Sequence, residues 1–243
     1  MLPRFSIVVP AYNEARLLPR LIATLQAAAQ RYSGGPEQIE IIVADNSSTD
    51  ETAAVARNMG CQVARVERRA IAAARNGGAQ IARGEILGFV DADMQVHPET
   101  FDGIDGAIRR HGVIGGATGV RPERWSAGIA ATWAMVLPMV WLFGMDTGVV
   151  FCRRADFLAL GGYREDRLVA EDVDFLVRLK RRGWRQRQRF VRIPRFKAIV
   201  SMRKFDKHGD WHQIPSMVRL GWNLLFAKAK FDREIQCYWY EDR

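Results

Sequence analysis

The sequence predicts an α/β fold built on a doubly wound, mostly parallel sheet. Short β-branched apolar runs alternate with segments whose apolar residues recur at helical spacing. Four such runs lie upstream of residue 91, giving the order β-α-β-α-β-α-β. Polar or glycine-bearing turns separate them, which is the punctuation of βαβ units with right-handed crossovers. The chain has 243 residues, 48% of them apolar, enough for one large domain or one domain with a tail.

Phe5–Pro10 reads as a buried parallel strand ended by proline. Ala11–Glu14 follows as a loop. Leu17, Leu18, Leu21, Ile22 and Leu25 then mark an amphipathic helix to about Arg31, broken by Ser33–Pro36. Ile39–Ala44 is the second strand. Asp45–Thr52 is a polar turn with Ser48 or Thr49 as candidate caps for a helix that Gly60 ends. Cys61–Val66 is a weaker third strand, and Arg68–Ala82 an alanine-rich helix carrying Arg75-Asn76-Gly77-Gly78.

The fourth strand leads into Leu87-Gly88-Phe89-Val90-Asp91-Ala92-Asp93-Met94-Gln95. Read as one strand, it brings Asp91, Asp93 and Gln95 to a carboxyl end, where open α/β sheets place ligands. Oxygen donors so closely spaced suit Mg²⁺ or Mn²⁺, completed by substrate phosphates. A solvated turn would use the same residues. Beyond it lie a helix (Phe101–His111) and a glycine-rich strand (Val113–Val120). Ser126–Met145 carries no charge at all. Its length meets a membrane-span criterion, but one crossing would separate Asp91 and Asp93 from Glu171-Asp172. A helix packed on the sheet and a helix lying in a membrane interface both remain open, Trp133 and Trp141 suiting the second. Asp146–Arg154 reads as a strand, Asp156–Leu160 as a short helix closed by Gly161-Gly162, and Ala170–Phe175 as the opening of a helix ending near Gly183. Arg185–Arg195 reads as an arginine-guarded edge strand.

The formal charge is +9, with basic residues clustered from Arg178 to Lys207. That suits an anionic partner such as a nucleotide diphosphate or an acidic membrane surface. No recognised nucleic-acid-binding motif occurs, and no nucleic acid is expected as partner. Three dispersed cysteines (Cys61, Cys152, Cys237) form neither a zinc pattern nor a disulfide framework, and a reducing, cytoplasmic setting is expected, with no signal peptide before the first strand.

Five segments in order carry a resemblance: Ser6–Glu14, Asp45–Asp50, Ala74-Arg75-Asn76, Asp91-Ala92-Asp93 and Glu171-Asp172. Together they resemble a family 2 glycosyltransferase of GT-A fold over roughly residues 4–205. The resemblance implies a GT-A domain over 1–208, with a nucleotide half to about 120 and an acceptor half from 121, and a helical tail or lid over 209–243. It implies metal-dependent, inverting transfer of a sugar from a nucleotide-diphosphate sugar to a glycan or lipid acceptor. Pro10, Tyr12, Glu14, Asp45 and Arg75 match nucleotide-binding positions, and Arg75 could equally be a surface arginine. Asp91 and Asp93 match the DxD motif, binding metal and, through Asp91, the nucleotide. Asp172 matches the general base, with Glu171 orienting a neighbour. Arg203 could clamp the departing diphosphate.

Gln95 extends the motif to DxDxQ and resembles polyprenyl-phosphate hexose synthases, the alternative reading, in which a lipid phosphate is acceptor and the glutamine meets the metal. His97 reads as a loop residue. His208 and His212 stand i, i+4 with Gly209 between them. Leu220–Phe226 and Tyr238-Trp239-Tyr240 are candidates for peripheral membrane contact, on the inner face, or for dimerisation. A nucleotidyltransferase would need an early glycine-rich basic loop, which Pro10–Glu14 lacks.

Overall fold

The computed structural model describes residues 2–143, 146–166 and 171–215. Leu220–Phe226 and Tyr238–Tyr240, together with Cys237, lie outside them. The chain's contacts divide it into one unit of residues 1–121 with 146–199, and a second of 122–145 with 200–243.

In the first unit, β1 (Phe5–Ala11), β2 (Ile39–Asp45), β3 (Gln62–Arg65) and β4 (Ile86–Phe89) are the four predicted strands. They pair in parallel, β1 lying between β2 and β4, with β3 outside β2. All seven residues of β1 are buried. This is why they read as a continuous apolar run and not as an alternation. The helices α1 (Leu18–Arg31), α2 (Thr52–Asn58) and α3 (Ile71–Ile81) form the crossovers. Leu18, Leu21, Ile22, Leu25, Ala28 and Ala29 are the buried stripe of α1, at the spacing a single helix face requires. On α3, a Cβ at Gly78 would fall 2.4 Å from Val8 Cγ1 and 3.3 Å from the Ala44 Cβ. Glycine therefore lets this helix sit directly on the sheet.

The sheet continues through β7 (Val150–Arg153), β6 (Val113–Pro122), β8 (Arg189–Val200) and β5 (Met94–Gln95), in the order β3-β2-β1-β4-β7-β6-β8-β5. The strand β7 is antiparallel to both β4 and β6. The remaining elements of this unit are α4 (Thr100–Ile108), α6 (Arg154–Ala159) and α7 (Glu171–Arg185). The last runs two residues past Gly183, which is buried against Ile114.

Several expectations shift. Pro10 does not end its strand: β1 runs to Ala11, and Pro10 lies opposite Ala44. Its missing N–H falls on the β4 side, like the Val8 carbonyl, which accepts the Val90 N–H at 3.2 Å, and the β1–β4 register ends at Val8↔Phe89, where proline has no N–H to donate the next bond. Neither Ser48 nor Thr49 caps α2. That helix starts at Thr52, whose N–H donates to Asp50 Oδ1 at 3.0 Å. The run to Gln95 is not one strand. After β4 stops at Phe89 the chain turns, Met94 N–H donating to Asp91 O at 3.1 Å, and Gln95 enters β5 at the far end of the sheet order.

In the second unit, α5 (Ala127–Phe143) contains Pro138 and α8 (Arg203–His208) follows β8. Ile129, Met202 and Phe205 form a small core with Trp133 and Val200. Among the described residues no helix is long and apolar enough to cross a membrane. His208 ends α8 and Gly209 turns away with φ 87°, so His208 and His212 do not share a helix face.

Candidate active site

From β1 the chain steps outward to β2 and β3, then returns to the other side of β1 with β4. That reversal opens a crevice between the carboxyl ends of β1 and β4, the ligand-binding position of open α/β sheets. Tyr12–Glu14 leave β1 at this edge. Asp91 lies two residues beyond β4, and Asp45 is the last residue of β2, beside Ala11.

The first two loops are stitched together. Asn13, at φ 53°, donates its N–H to Ser48 Oγ (3.0 Å) and accepts the Thr49 N–H at Oδ1 (2.9 Å). Glu14 is buried. Its N–H reaches Thr52 Oγ1 at 2.9 Å, and its carbonyl accepts the Leu17 and Leu18 N–H groups that open α1. Asp45 is buried too, and its Oδ1 accepts the Ser48 N–H at 3.2 Å, which closes the turn after β2. The Tyr12 ring carries the Arg69 guanidinium at 4.2 Å, a cation–π pair.

Arg75 is not a surface arginine: it is 4% exposed. Its Nη2 donates to Asp91 Oδ1 at 2.9 Å, and its Nη1 donates to Glu171 Oε1 at 3.2 Å and to Asp172 Oδ1. The guanidinium lies 5.1 Å from the Tyr163 ring centre, and its Nε is buried without a partner. Burial alone would lower its pKa, but the charges of Asp172 and Asp91 outweigh that and hold it well above the ordinary arginine value. One guanidinium thus joins a residue after β4 to two at the start of α7.

Burial pushes the Asp172 carboxyl up to about 7, against the pull of Arg75 and with the negative charges of Glu171 and Asp91 adding to the rise. The side chain keeps 36% of its surface, so it can meet a ligand. A carboxylate titrating near neutrality is suited to accept a proton.

Asn76, next to Arg75, was not among the expected site residues. Its Nδ2 donates to Tyr163 O and Glu165 Oε1, both at 2.9 Å, and its Oδ1 accepts the Tyr163 N–H at 2.8 Å. Arg178 of α7 donates to Leu160 O and Gly162 O. Residues 160–165 are thus gripped from two helices. The paired glycines Gly161-Gly162 were their sequence signal, and both adopt φ 71°.

Among the described residues no group of three or more His, Cys, Asp or Glu side chains is disposed to hold a metal ion. Asp91 and Asp93 do stand two residues apart in the turn after β4, both half-buried, with Gln95 following. A divalent cation commonly takes one or two carboxylates and completes its shell with phosphate and water, so this donor set fits an ion that arrives with a diphosphate. His97 is a loop residue as expected, its Nδ1 accepting the Glu99 N–H at 3.1 Å. Arg203, expected at the departing diphosphate, opens α8 in the second unit.

Comparison with known proteins agrees with this layout. A 61-residue stretch is 39% identical to the 4,4'-diaponeurosporenoate glycosyltransferase of Staphylococcus haemolyticus, covering 25% of this chain and 14% of that protein. Another, of 56 residues, is 41% identical to the validoxylamine A glucosyltransferase of Streptomyces hygroscopicus subsp. limoneus, covering 23% and 12%. Among solved structures, S. aureus TarS residues 1–349 superposes with a TM-score of 0.64 at 19% identity, over 87% of this chain and 63% of that one. The mannosyltransferase PcManGT of Pyrobaculum calidifontis, solved with GDP-Man and Mn²⁺, gives 0.61 at 22% identity, over 82% and 57%. The chain spans less than two thirds of each of these proteins. The structural likenesses establish the GT-A fold. Residues 6–138, more than half of the chain, match the family model described as glycosyl transferase family 2, and the chain belongs to that family.

Proposed function

We propose that the chain is a metal-dependent, inverting glycosyltransferase that uses a nucleotide-diphosphate sugar. The observation that carries this reading is the joining of Asp91 and Asp172 on one buried arginine at the carboxyl edge of the sheet. TarS has been solved with UDP and UDP-GlcNAc and PcManGT with GDP-Man and Mn²⁺, which supports a donor of the same class here.

In this reading Pro10, Tyr12, Glu14 and Asp45 line the nucleoside slot, with Asp45 and Glu14 offering acceptors to base N–H or ribose hydroxyl groups. Asp91, Asp93 and Gln95 would hold Mg²⁺ or Mn²⁺, which would supply charge neutralisation at the diphosphate. Asp172 takes the proton of the acceptor hydroxyl. That oxygen bonds to the anomeric carbon from the face opposite the diphosphate, and the anomeric carbon–oxygen bond breaks with its electron pair leaving on the nucleoside diphosphate. A single displacement inverts the configuration. Glu171 shares Arg75 with Asp172 and orients it.

The acceptor is a glycan or lipid. Contact with a membrane surface is supported by the second unit's exposed Trp125, Met135, Leu137 and Trp211, and vesicle flotation tests it.

The donor reading is tested by thermal shift with UDP, GDP, dTDP and CDP, each with and without Mn²⁺. A ligand that binds only the folded state raises the midpoint. A shift for one nucleotide that requires Mn²⁺ and disappears in Asp93→Ala is expected. No shift for any nucleotide contradicts the reading.

A further inference from the structure

At the edge of the sheet opposite the candidate active site, an open cleft of about 610 Å³ lies between the residues that enter β1 and β4 and those that leave β7. Its charged lining is Arg4, Arg83, Glu85, Arg153 and Arg154. Their pairings divide the arginines into two sets. Arg4 and Arg109 share Asp105, and Arg4 also meets Glu85, so these cations are balanced by carboxylates. Arg83 is balanced by Glu40. Arg153 gives its Nη1 and Nη2 to the carbonyls of Val113 and Ile108, so its full charge meets only peptide dipoles. Arg154 has no carboxylate partner among the described residues, and its Nε is buried without a hydrogen bond. Its backbone N–H donates to Glu85 O at 2.8 Å, which fixes where the side chain starts, beside the entry to β4.

We propose that this cleft binds a phosphate dianion, as inorganic phosphate or as the phosphate of a small ester. A buried donor without a partner is costly, and an ion that accepts from it removes the cost. The two uncompensated charges of Arg153 and Arg154 match the charge of one dianion. Arg154 supplies the contacts, since a guanidinium fork fits phosphate oxygens, and Arg153, whose Nη atoms are taken, supplies field. The cleft is larger than the ion and leaves room for the organic part of an ester. A nucleoside diphosphate chelated by Mn²⁺ offers no free dianion, so titrations of the donor site do not report on this one.

The test melts the full chain at pH 8 in sodium phosphate, without metal, against sodium chloride of equal ionic strength. Wild type is compared with Arg154→Met and Ala155→Glu. Ala155 is exposed on the wall of the cleft, so its replacement sets a carboxylate beside Arg154 and leaves the core intact. Phosphate also stabilises proteins by exclusion from their surface, a contribution common to all variants. The readout is therefore the difference between wild type and variant. At about ten times Kd, phosphate is expected to raise the wild-type midpoint by about 3–6 °C more than that of either variant. In chloride, Arg154→Met is expected to melt at or above wild type, because it removes a desolvated charge that nothing pairs. Should Arg154→Met fail to fold, Ala155→Glu carries the comparison. Asp93→Ala is expected to keep the whole phosphate shift. Equal shifts in wild type and Ala155→Glu overturn the proposal, and so does loss of the shift in Asp93→Ala, which would move the anion to the other edge. Flotation with phosphatidate vesicles separates the sources: capture that Ala155→Glu abolishes assigns the phosphate to a lipid headgroup, and a phosphate shift without capture assigns it to a soluble ligand.

Discussion

The two edges of the sheet use carboxylates in opposite ways. At the amino edge each has its own donors. Glu40, beside Ser6 at the start of β2, accepts from the Ser6 hydroxyl (2.5 Å), the Arg83 N–H (2.7 Å) and guanidinium, and Gln62. Asp105 of α4 accepts from Arg4, Arg109 and the Tyr32 hydroxyl. Burial opposes ionisation of both, but these hydrogen bonds outweigh it and hold their pKa values below the usual carboxylate range. At the carboxyl edge three carboxylates share one arginine, and Asp172 is pushed up to about 7. A saturated network stabilises a single structure, whereas an undersupplied one leaves a carboxylate free to exchange a proton.

The comparison is broken most strongly by Asp172→Asn. It is expected to lower kcat by about 10²–10⁴-fold while the thermal midpoint stays near that of wild type, because the amide keeps the shape and loses the base. Steady-state release of nucleoside diphosphate measures the first, and a melting curve the second.

Next comes pH. The log of kcat/KM is expected to climb by one per pH unit below about 7 and level off above it, as Asp172 ionises. The stability effects of the two edges have opposite signs. For Glu40 and Asp105 the folded pKa lies below the unfolded values near 4.5 and 3.8, so their contribution is present above those values and is lost as pH falls through the folded pKa. Asp172 lies above its unfolded value of 3.8, so its contribution is present below that value and is lost as pH rises toward 7. Circular dichroism at pH 5.5 is therefore expected to show a folded chain with diminished activity. Unfolding in step with activity would remove the distinction.

Asp105→Ala is expected to cost about 2–3 kcal/mol in denaturant unfolding, by stranding the Tyr32 hydroxyl and leaving Arg4 with Glu85 alone, with kcat per folded molecule unchanged. The smallest effect sharpens the comparison: Gly78→Ala, whose methyl meets Val8 at 2.4 Å, is expected to cost about 1–3 kcal/mol. By lifting α3 it is also expected to lower kcat, unlike Asp105→Ala.

The legible part of this molecule is what local pattern encodes. The continuous apolar runs of β1, β2 and β4 and the 3.6-residue stripe of α1 identify strands and helix without tertiary knowledge. Asp91 and Asp93 stood out because carboxylates follow directly on an apolar run, whereas Asp172, an ordinary acid at a helix start, was marked only by the family resemblance. What stayed hidden depends on distant pairing. Arg75 meets residues 16 and 97 positions away, and Arg4 meets Asp105 across 101. No local rule separates a buried arginine flanked by alanines from an exposed one. Ser48 and Thr49 looked like caps because their chemistry suits it, but Asn13 claims both. Gln95 looked continuous with Asp91 and Asp93, and only the turn at Asp91–Met94 shows where the strand stops.

The most direct test is a calorimetric titration of one nucleoside diphosphate, chosen from the thermal-shift panel, in the presence of Mn²⁺, into wild type, Asp93→Ala and Glu40→Gln. The account predicts binding to wild type and Glu40→Gln with equal affinity, and none to Asp93→Ala. Equal binding to all three, or loss in Glu40→Gln with retention in Asp93→Ala, would contradict the placement of the donor site at the carboxyl edge.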